Sequence, residues 1–152
     1  MSNKYTEKIK EVYDQIGDHA KIVLATSNDT IVSARMMSFV INKEIFYFQT
    51  DKNFRKYRDI QLNKHVALCI DNIQIEGICE EVGHPLDNET FCLLFKKYFK
   101  SSFDSYSFLK DERLFTITPT FIQRWNYIDN KPLIESYDIL NQNYNEREYY
   151  RE

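Results

Sequence analysis

Glycine is scarce in this chain, because Gly17, Gly77 and Gly83 are the only three among 152 residues. A dinucleotide-binding turn needs the pattern GxGxxG, and a P-loop needs two glycines ahead of its lysine. Neither phosphate-binding loop can therefore be built. A nucleotide-like ligand, if one binds, must be held by strand edges and by side chains.

Histidine and cysteine are equally sparse, with three of each in the chain. No HxxxH, HExxH or CxxC pair occurs, so no metal site is predicted. A GxSxG nucleophile elbow is also missing, and we assign no catalytic residue. The residues concerned are His19, His65, His84, Cys69, Cys79 and Cys92.

Long apolar runs are missing as well. The opening MSNKYTEKIKEVYD is too polar for a signal peptide, and no stretch approaches the length that crosses a membrane. Together with the odd number of cysteines, this leads us to expect a cytoplasmic protein with no membrane partner. The net charge of −3 disfavours broad electrostatic binding to nucleic acid.

What the chain does have is a regular pattern of apolar residues, with 43% hydrophobic and 15% aromatic residues. This composition excludes wholesale disorder, and the length suits one domain. The predicted helices cover residues 6–16, 53–63, 87–99 and 101–110, with Gly17 as a stop signal and Asp87 as an N-cap. The predicted strands cover residues 21–26, 31–41, 44–50, 66–71, 73–82, 114–118 and 121–127.

Short turns link most of these strands, including a hairpin at Asn42-Lys43, so the sheet should be largely antiparallel. Pro119 is expected to kink the chain between the last two strands. Six or seven strands with a few peripheral helices suit a small barrel better than an open doubly wound sheet. Beyond Ile128 the chain becomes polar. We therefore predict a barrel domain at 1–128 and a loosely attached polar extension at 129–152.

One segment, IFYFQTDKNFRKY at 45–57, is the most informative. An apolar strand stops at Gln49, Thr50 and Asp51, and a helix then opens with Arg55 and Lys56 in its first turn. Helix starts usually prefer acids, because the peptide dipole leaves partial positive charge there. Two cations at that end suit an anion such as a phosphate. A solvated charged turn is the alternative.

Other polar residues lie on the predicted strands. Arg35 lies in the middle of its strand and needs an anionic partner, a salt bridge or an exposed position. Asn72 begins a polar face that could meet solvent or a ligand. Trp125, the only tryptophan, could pack in the core or belong to a site.

Four segments together resemble the FMN-binding split-barrel family, the pyridoxamine 5'-phosphate oxidase-like proteins, and in particular its compact bacterial members of the general stress protein type. The resemblance spans about residues 4–127. It is carried, in order, by LATSNDTIVSARMMSF, IFYFQTDKNFRKY, NKHVALCI and NIQIEGICEEV. The fold that it implies is mainly β with peripheral helices, a six- to seven-stranded antiparallel split β-barrel.

The resemblance also implies a cofactor, FMN, and the residues that would bind it. Thr50, Arg55 and Lys56 match the family's phosphate contacts, and Gln49 precedes them. The strand that lies beside the flavin ring matches Arg35, Met36, Met37 and Ser38. Asn72 stands where the family has a longer Gln, and Trp125 matches a late tryptophan near the partner subunit's flavin. Family members are usually homodimers with FMN at the interface.

The resemblance implies an FMN-dependent oxidoreductase that passes hydride or electrons, with NAD(P)H as a donor, to an unknown small molecule. The C-terminal NQNYNEREYYRE lacks the arginine-rich signature of the true oxidases, so pyridoxamine phosphate is not the expected substrate. The alternatives are a flavin-binding sensor or carrier without turnover, and a barrel that binds a deazaflavin or haem. A nucleic-acid binder that stacks bases on its many Tyr and Phe residues is disfavoured by the acidic charge balance.

Overall fold

Between residues 3 and 149, which the computed structural model describes, the chain forms one antiparallel sheet of eight strands. The strands are β1 His19–Asn28, β2 Ile31–Asn42, β3 Ile45–Asp51, β4 His65–Ile70, β5 Ile73–Gly83, β6 Glu112–Ile128, β7 Lys131–Asp138 and β8 Asn143–Glu148. The helices are α1 Lys4–Ile16, α2 Arg55–Leu62, α3 Glu89–Tyr98 and the single turn α4 Lys100–Ser102.

The first six strands close into a barrel, because β3 pairs with β2 on one side and with β6 on the other. Around the barrel the order is β3-β2-β1-β4-β5-β6, and β7 and β8 continue the sheet outward from β6. The expected mainly β fold, an antiparallel split barrel with peripheral helices, is therefore confirmed, with six strands in the barrel.

Aromatic side chains fill the part of the barrel where β3 meets β6. Phe46 and Phe48 alternate along β3 and are fully buried. Phe48 stacks on Phe115 of β6, with 5.1 Å between ring centroids. These contacts fix the register that places Thr50 opposite Arg113, and so they position the end of β3 where the predicted phosphate segment begins.

The β2–β3 hairpin turns one residue later than expected. Its two central residues are Lys43 and Glu44, with φ of 50° and 66°. Asn42 instead continues the ladder and pairs with Ile45. Two successive positive φ angles are typical of a tight type I′ hairpin, formed here without glycine.

Helix α3 is capped by Asn88 and not, as predicted, by Asp87. The Oδ1 atom of Asn88 accepts a hydrogen bond from the Phe91 amide at 2.8 Å. Asp87 belongs to a short 3-10 turn, Pro85–Asp87, that precedes the helix. The Asp87 amide donates a hydrogen bond to the His84 carbonyl at 3.0 Å, and this bond closes the turn ahead of the helix.

The helix expected at 101–110 is also different in the structure. After α4 the chain forms a π-helical turn, Phe103–Ser107. The Ser107 hydroxyl is buried and donates a hydrogen bond to Gln49 Oε1 at 2.7 Å. This long-range contact, which no local pattern reveals, ties the segment to β3.

The two closing strands predicted on either side of Pro119 are a single strand, β6. Pro119 lies opposite Gly77, where the β5–β6 register shifts by a bulge. A Cβ atom at Gly77 would approach the Ile117 side chain to 2.7 Å. Because glycine lets the backbones come this close, the strand passes the proline without breaking.

The expectation of a loosely attached extension was wrong. Residues 131–138 and 143–148 form β7 and β8, which pair with the rest of the sheet. Tyr137 and Glu135 on β7 are fully buried. Residues 150–152 of the predicted extension lie outside the described residues.

A buried ionic network explains this attachment. Arg124 Nε on β6 donates to Glu135 Oε1 at 2.7 Å, and its Nη2 lies 3.1 Å from Glu11 of α1. Tyr144 of β8 donates to the other oxygen of Glu135 at 2.8 Å, and Lys8 Nζ lies 3.8 Å from it. The burial of Glu135 opposes ionisation, but its hydrogen bonds and cations outweigh that effect and lower the pKa of its carboxyl. The network therefore joins α1, β6, β7 and β8.

Candidate functional site

Three cations converge where β3 ends and α2 begins. Burial is the largest cause of a lowered Arg35 pKa, and the positive charge of Arg55 lowers it further. Burial also lowers the pKa of Lys56, with Arg35 as the next cause. Because Arg55 acts on Arg35 and Arg35 acts on Lys56, these three residues are named the cation cluster.

The cation cluster has few anionic partners of its own. Within residues 3–149, none of its three members lies within 4.0 Å of a carboxylate oxygen. Asp59 acts on Arg35, and Asp51 and Glu112 act on Lys56, only at longer range. Arg55 is exposed and Arg35 and Lys56 are half-buried, so three like charges without a direct counter-ion gain from an anion that binds among them.

A buried chain of hydrogen bonds holds Arg35 in place. Its Nη1 atom donates to Thr26 Oγ1 at 2.9 Å and to the Leu24 carbonyl at 3.2 Å. The Thr26 hydroxyl in turn donates to Asp59 Oδ2 at 2.9 Å. Both Thr26 and Asp59 are 1% exposed. The guanidinium is therefore positioned by α2, β1 and β2 together before any ligand arrives.

The start of α2 adds to the positive character of this region. Its N-cap residue, Phe54, has no side-chain capping bond, and its first turn carries no acid. Lys56 Nζ lies 4.7 Å from the centre of the Phe54 ring, in a cation–π contact. An anion at this terminus would meet both the helix dipole and the cation cluster.

Beside the cation cluster lies a cavity of about 430 Å³. Five of the predicted site residues line it, namely Met36, Met37, Ser38, Gln49 and Thr50. Asp51, Phe54, Phe95, Ser102, Tyr106, Leu109 and Glu112 complete the lining. The structure thus brings the predicted ring-binding strand and the end of β3 to one cavity, with the predicted phosphate ligands at its edge.

Two polar groups of this cavity differ in how they are satisfied. Gln49 is fixed by the hydrogen bond from Ser107. The buried Thr50 Oγ1 has no hydrogen-bond partner among the described residues. An unpaired buried hydroxyl costs free energy, so Thr50 is suited to a ligand that supplies a partner.

Asn72 and Trp125 are brought to each other but not to this cavity. Asn72 Nδ2 donates to the Trp125 carbonyl at 2.6 Å, and its Oδ1 accepts from Gln15 at 2.7 Å. They adjoin the pairing of Ile73 with Arg124, whereas Thr50 pairs with Arg113. Neither residue lines the cavity, and Trp125 lies twelve residues after Arg113 along β6.

Sequence reasoning missed several residues of this region. The acids Asp51 and Glu112, the Thr26–Asp59 bond and the aromatic wall from α3 and the π-helical turn carry no local motif. Asp51 lies within a quoted segment, but nothing in its sequence context indicates a cavity. Among the described residues, no three His, Cys, Asp or Glu side chains are placed to hold a metal ion. None of the described helices has the length and apolar character needed to span a membrane.

The fold is similar to that of several solved structures. General stress protein 26 from Bacillus anthracis str. Sterne is 22% identical, with a TM-score of 0.58 over 76% of this chain and 89% of that chain. The heme storage protein HutZ from Vibrio cholerae is 21% identical, with a TM-score of 0.58 over 77% and 91%. PhzG from Burkholderia lata 383, solved with tetrahydrophenazine-1-carboxylic acid, is 12% identical, with a TM-score of 0.61 over 96% and 90%.

No curated protein matches the chain by sequence. The model of the family described as pyridoxamine 5'-phosphate oxidase, however, matches residues 6–126. That match covers most of the barrel, including the cation cluster and the strand that lines the cavity. The chain therefore belongs to the pyridoxamine 5'-phosphate oxidase family.

Proposed function

We propose that this chain binds FMN by its phosphate and acts as an FMN-dependent oxidoreductase. The observation that carries the proposal is the cation cluster of Arg35, Arg55 and Lys56, which lacks a direct counter-ion and adjoins the unpaired Thr50 hydroxyl. A phosphate monoester supplies about −1.5 to −2 charges and three acceptor oxygens. It would satisfy the cluster without a glycine-rich loop.

The cavity suits the rest of the cofactor. Met36 and Met37 offer a polarisable wall to a flat ring. When bound, FMN supplies the chemistry of hydride or electron transfer to a small molecule, with NAD(P)H as the donor. The chain's own residues bind the phosphate, orient the ring and cover part of it from water.

A homodimer completes this proposal. Asn72 and Trp125 do not line the cavity of their own chain, so in a dimer they would serve the partner's site. The cavity mouth also exposes more than half of Met36, Phe54 and Tyr106. Exposed apolar groups of this kind around a cavity are typical of surfaces that another chain covers.

Comparing FMN with riboflavin tests whether the phosphate is the anchor. Charge-assisted hydrogen bonds contribute about 1.5–3 kcal/mol each, so two or more should make FMN bind at least about a hundredfold more tightly than riboflavin. Fluorescence titration of the flavin-free protein measures both affinities. Equal affinities would show that the phosphate is not held, and would overturn the proposal.

The alternatives have different signatures in the same preparation. A sensor or carrier would bind FMN but would not be reduced by NADH or NADPH in anaerobic stopped flow. A deazaflavin would bind in place of FMN, and haem would give a sharp Soret band. His65, the one histidine in the four segments that carry the resemblance, lines a separate groove of about 310 Å³ and not the cavity beside the cation cluster.

A further inference from the structure

The charged groups that line the cavity are both acidic. Asp51 and Glu112 line it, whereas no member of the cation cluster does. Asp51 is already engaged, because its Oδ1 accepts hydrogen bonds from the Asn53 amide at 2.7 Å and from the Asn53 side chain at 2.8 Å. The second acid, Glu112, has no such partner.

Glu112 is a buried carboxyl that faces the cavity. Its residue is 5% exposed, and within residues 3–149 its side chain makes no hydrogen bond and no ion pair shorter than 4.0 Å. Burial and, to a smaller extent, the nearby charge of Asp51 together raise its pKa to about 7, although Lys56 opposes them. A carboxyl in this position gains more from a ligand that brings a donor or a positive charge than an exposed carboxyl would.

Much of the remaining lining is apolar, because Phe54, Phe95, Tyr106 and Leu109 line the cavity together with the two methionines. The uncharged polar residues Ser38, Gln49, Thr50 and Ser102 complete it. A ligand that fits has a flat apolar body, and any charged group that it carries must suit the acids. A phosphate or carboxylate group placed beside Glu112, away from the cation cluster, would be repelled by Asp51 and Glu112.

We propose that Glu112 binds a protonated nitrogen, so that the cavity, in the space beside the flavin ring, takes a non-phosphorylated, flat organic amine as its substrate. Turnover of the amine rests on the proposed function, whereas its binding rests only on the cavity. Phosphate binding at Lys56 strengthens the preference, because it offsets the one cation that acts on Glu112. The amine then supplies the missing positive charge, and the Glu112 carboxylate accepts a hydrogen bond from its N–H group.

Calorimetric titration with three small aromatic probes tests this assignment. Benzylammonium carries the charge, benzyl alcohol is its neutral counterpart, and benzoate is its anionic counterpart. Near pH 8, where Glu112 is ionised, the protein should bind benzylammonium at least about tenfold more tightly than the other two. Glu112→Gln should remove that preference. Glu80→Gln, which removes an exposed acid outside the cavity, should keep it.

Each outcome decides the matter. A wild-type protein that binds benzoate as tightly as benzylammonium, or binds neither amine nor alcohol, overturns the proposal. So does an unchanged preference in Glu112→Gln, once its melting temperature shows that it is folded. The titrations are run with and without FMN. If FMN fails to bind while the amine preference persists, the proposed function fails and this inference stands.

Discussion

Replacing Arg55 and Lys56 together by alanine is expected to strip FMN from the protein. Two charge-assisted contacts are lost, each worth about 1.5–3 kcal/mol, so affinity should fall by a factor of about a hundred to ten thousand. Arg35 remains, but it is fixed by Thr26 and cannot move to replace them. Fluorescence titration with FMN measures the loss, and the purified variant should be colourless.

The matched control removes two cations that lie close by in sequence. Arg58 on α2 and Lys64 just after it are exposed and line neither the cavity nor the cation cluster. Arg58→Ala with Lys64→Ala changes the net charge equally and should leave FMN affinity within about threefold, because exposed charges are screened by salt. If both double variants lose FMN equally, the effect is one of net charge. If Arg55→Ala with Lys56→Ala keeps a full complement of flavin, the assignment of the phosphate ligands is wrong.

Truncating Glu135 to alanine is the substitution with the largest expected effect on stability. It leaves Arg124, which is 5% exposed, without its 2.7 Å partner, and removes one of the two carboxylates that face the Tyr144 hydroxyl. Breaking a buried ion pair from one side typically costs about 3–5 kcal/mol. The free energy of unfolding, from urea titration followed by circular dichroism, should fall by that amount.

Two further variants separate the buried network from surface charge. Asp14→Ala removes an exposed acid that lies 2.7 Å from Lys10 and has no contact with the network, and it should cost less than about 1 kcal/mol. Arg124→Met with Glu135→Leu replaces both buried charges by apolar groups and should recover much of the lost stability. A loss below about 1 kcal/mol for Glu135→Ala would mean that β7 and β8 are only weakly attached after all.

The hairpins of the barrel could be predicted from sequence because their information is local. Three of its six strand pairs, β1–β2, β2–β3 and β4–β5, are joined by short turns, and their strands show apolar patterns a few residues long. Two of the errors were also local in origin. The hairpin at Lys43-Glu44 and the Asn88 cap each differ by one residue from the prediction, where two adjacent polar residues could serve equally well.

The extension could not be predicted, because the partners of its buried charges are distant in sequence. Glu135 meets Arg124 from the neighbouring strand, and Arg124 meets Glu11 from a helix 113 residues away. A polar composition normally indicates solvent exposure. Here the polar residues satisfy one another inside the fold, and only the tertiary structure reveals it.

The site residues likewise fall into those that a local motif can indicate and those that only the tertiary structure brings together. Thr50, Arg55 and Lys56 share one strand–helix segment, so a motif could indicate them, and the structure places Thr50 on the cavity and the cations beside it. The Thr26–Asp59 bond that orients Arg35 joins residues 33 positions apart. Glu112 likewise enters the cavity only because β6 pairs with β3. Such residues leave no signal in a single sequence.

The central claim is that a flavin phosphate neutralises the cation cluster at the end of β3. The most direct measurement is to record the absorption spectrum of the purified protein after saturation with FMN and gel filtration, then to denature it and identify what is released. The account predicts a flavin spectrum and close to one FMN per chain. A protein that emerges colourless, or that shows a Soret band and releases haem, would contradict it.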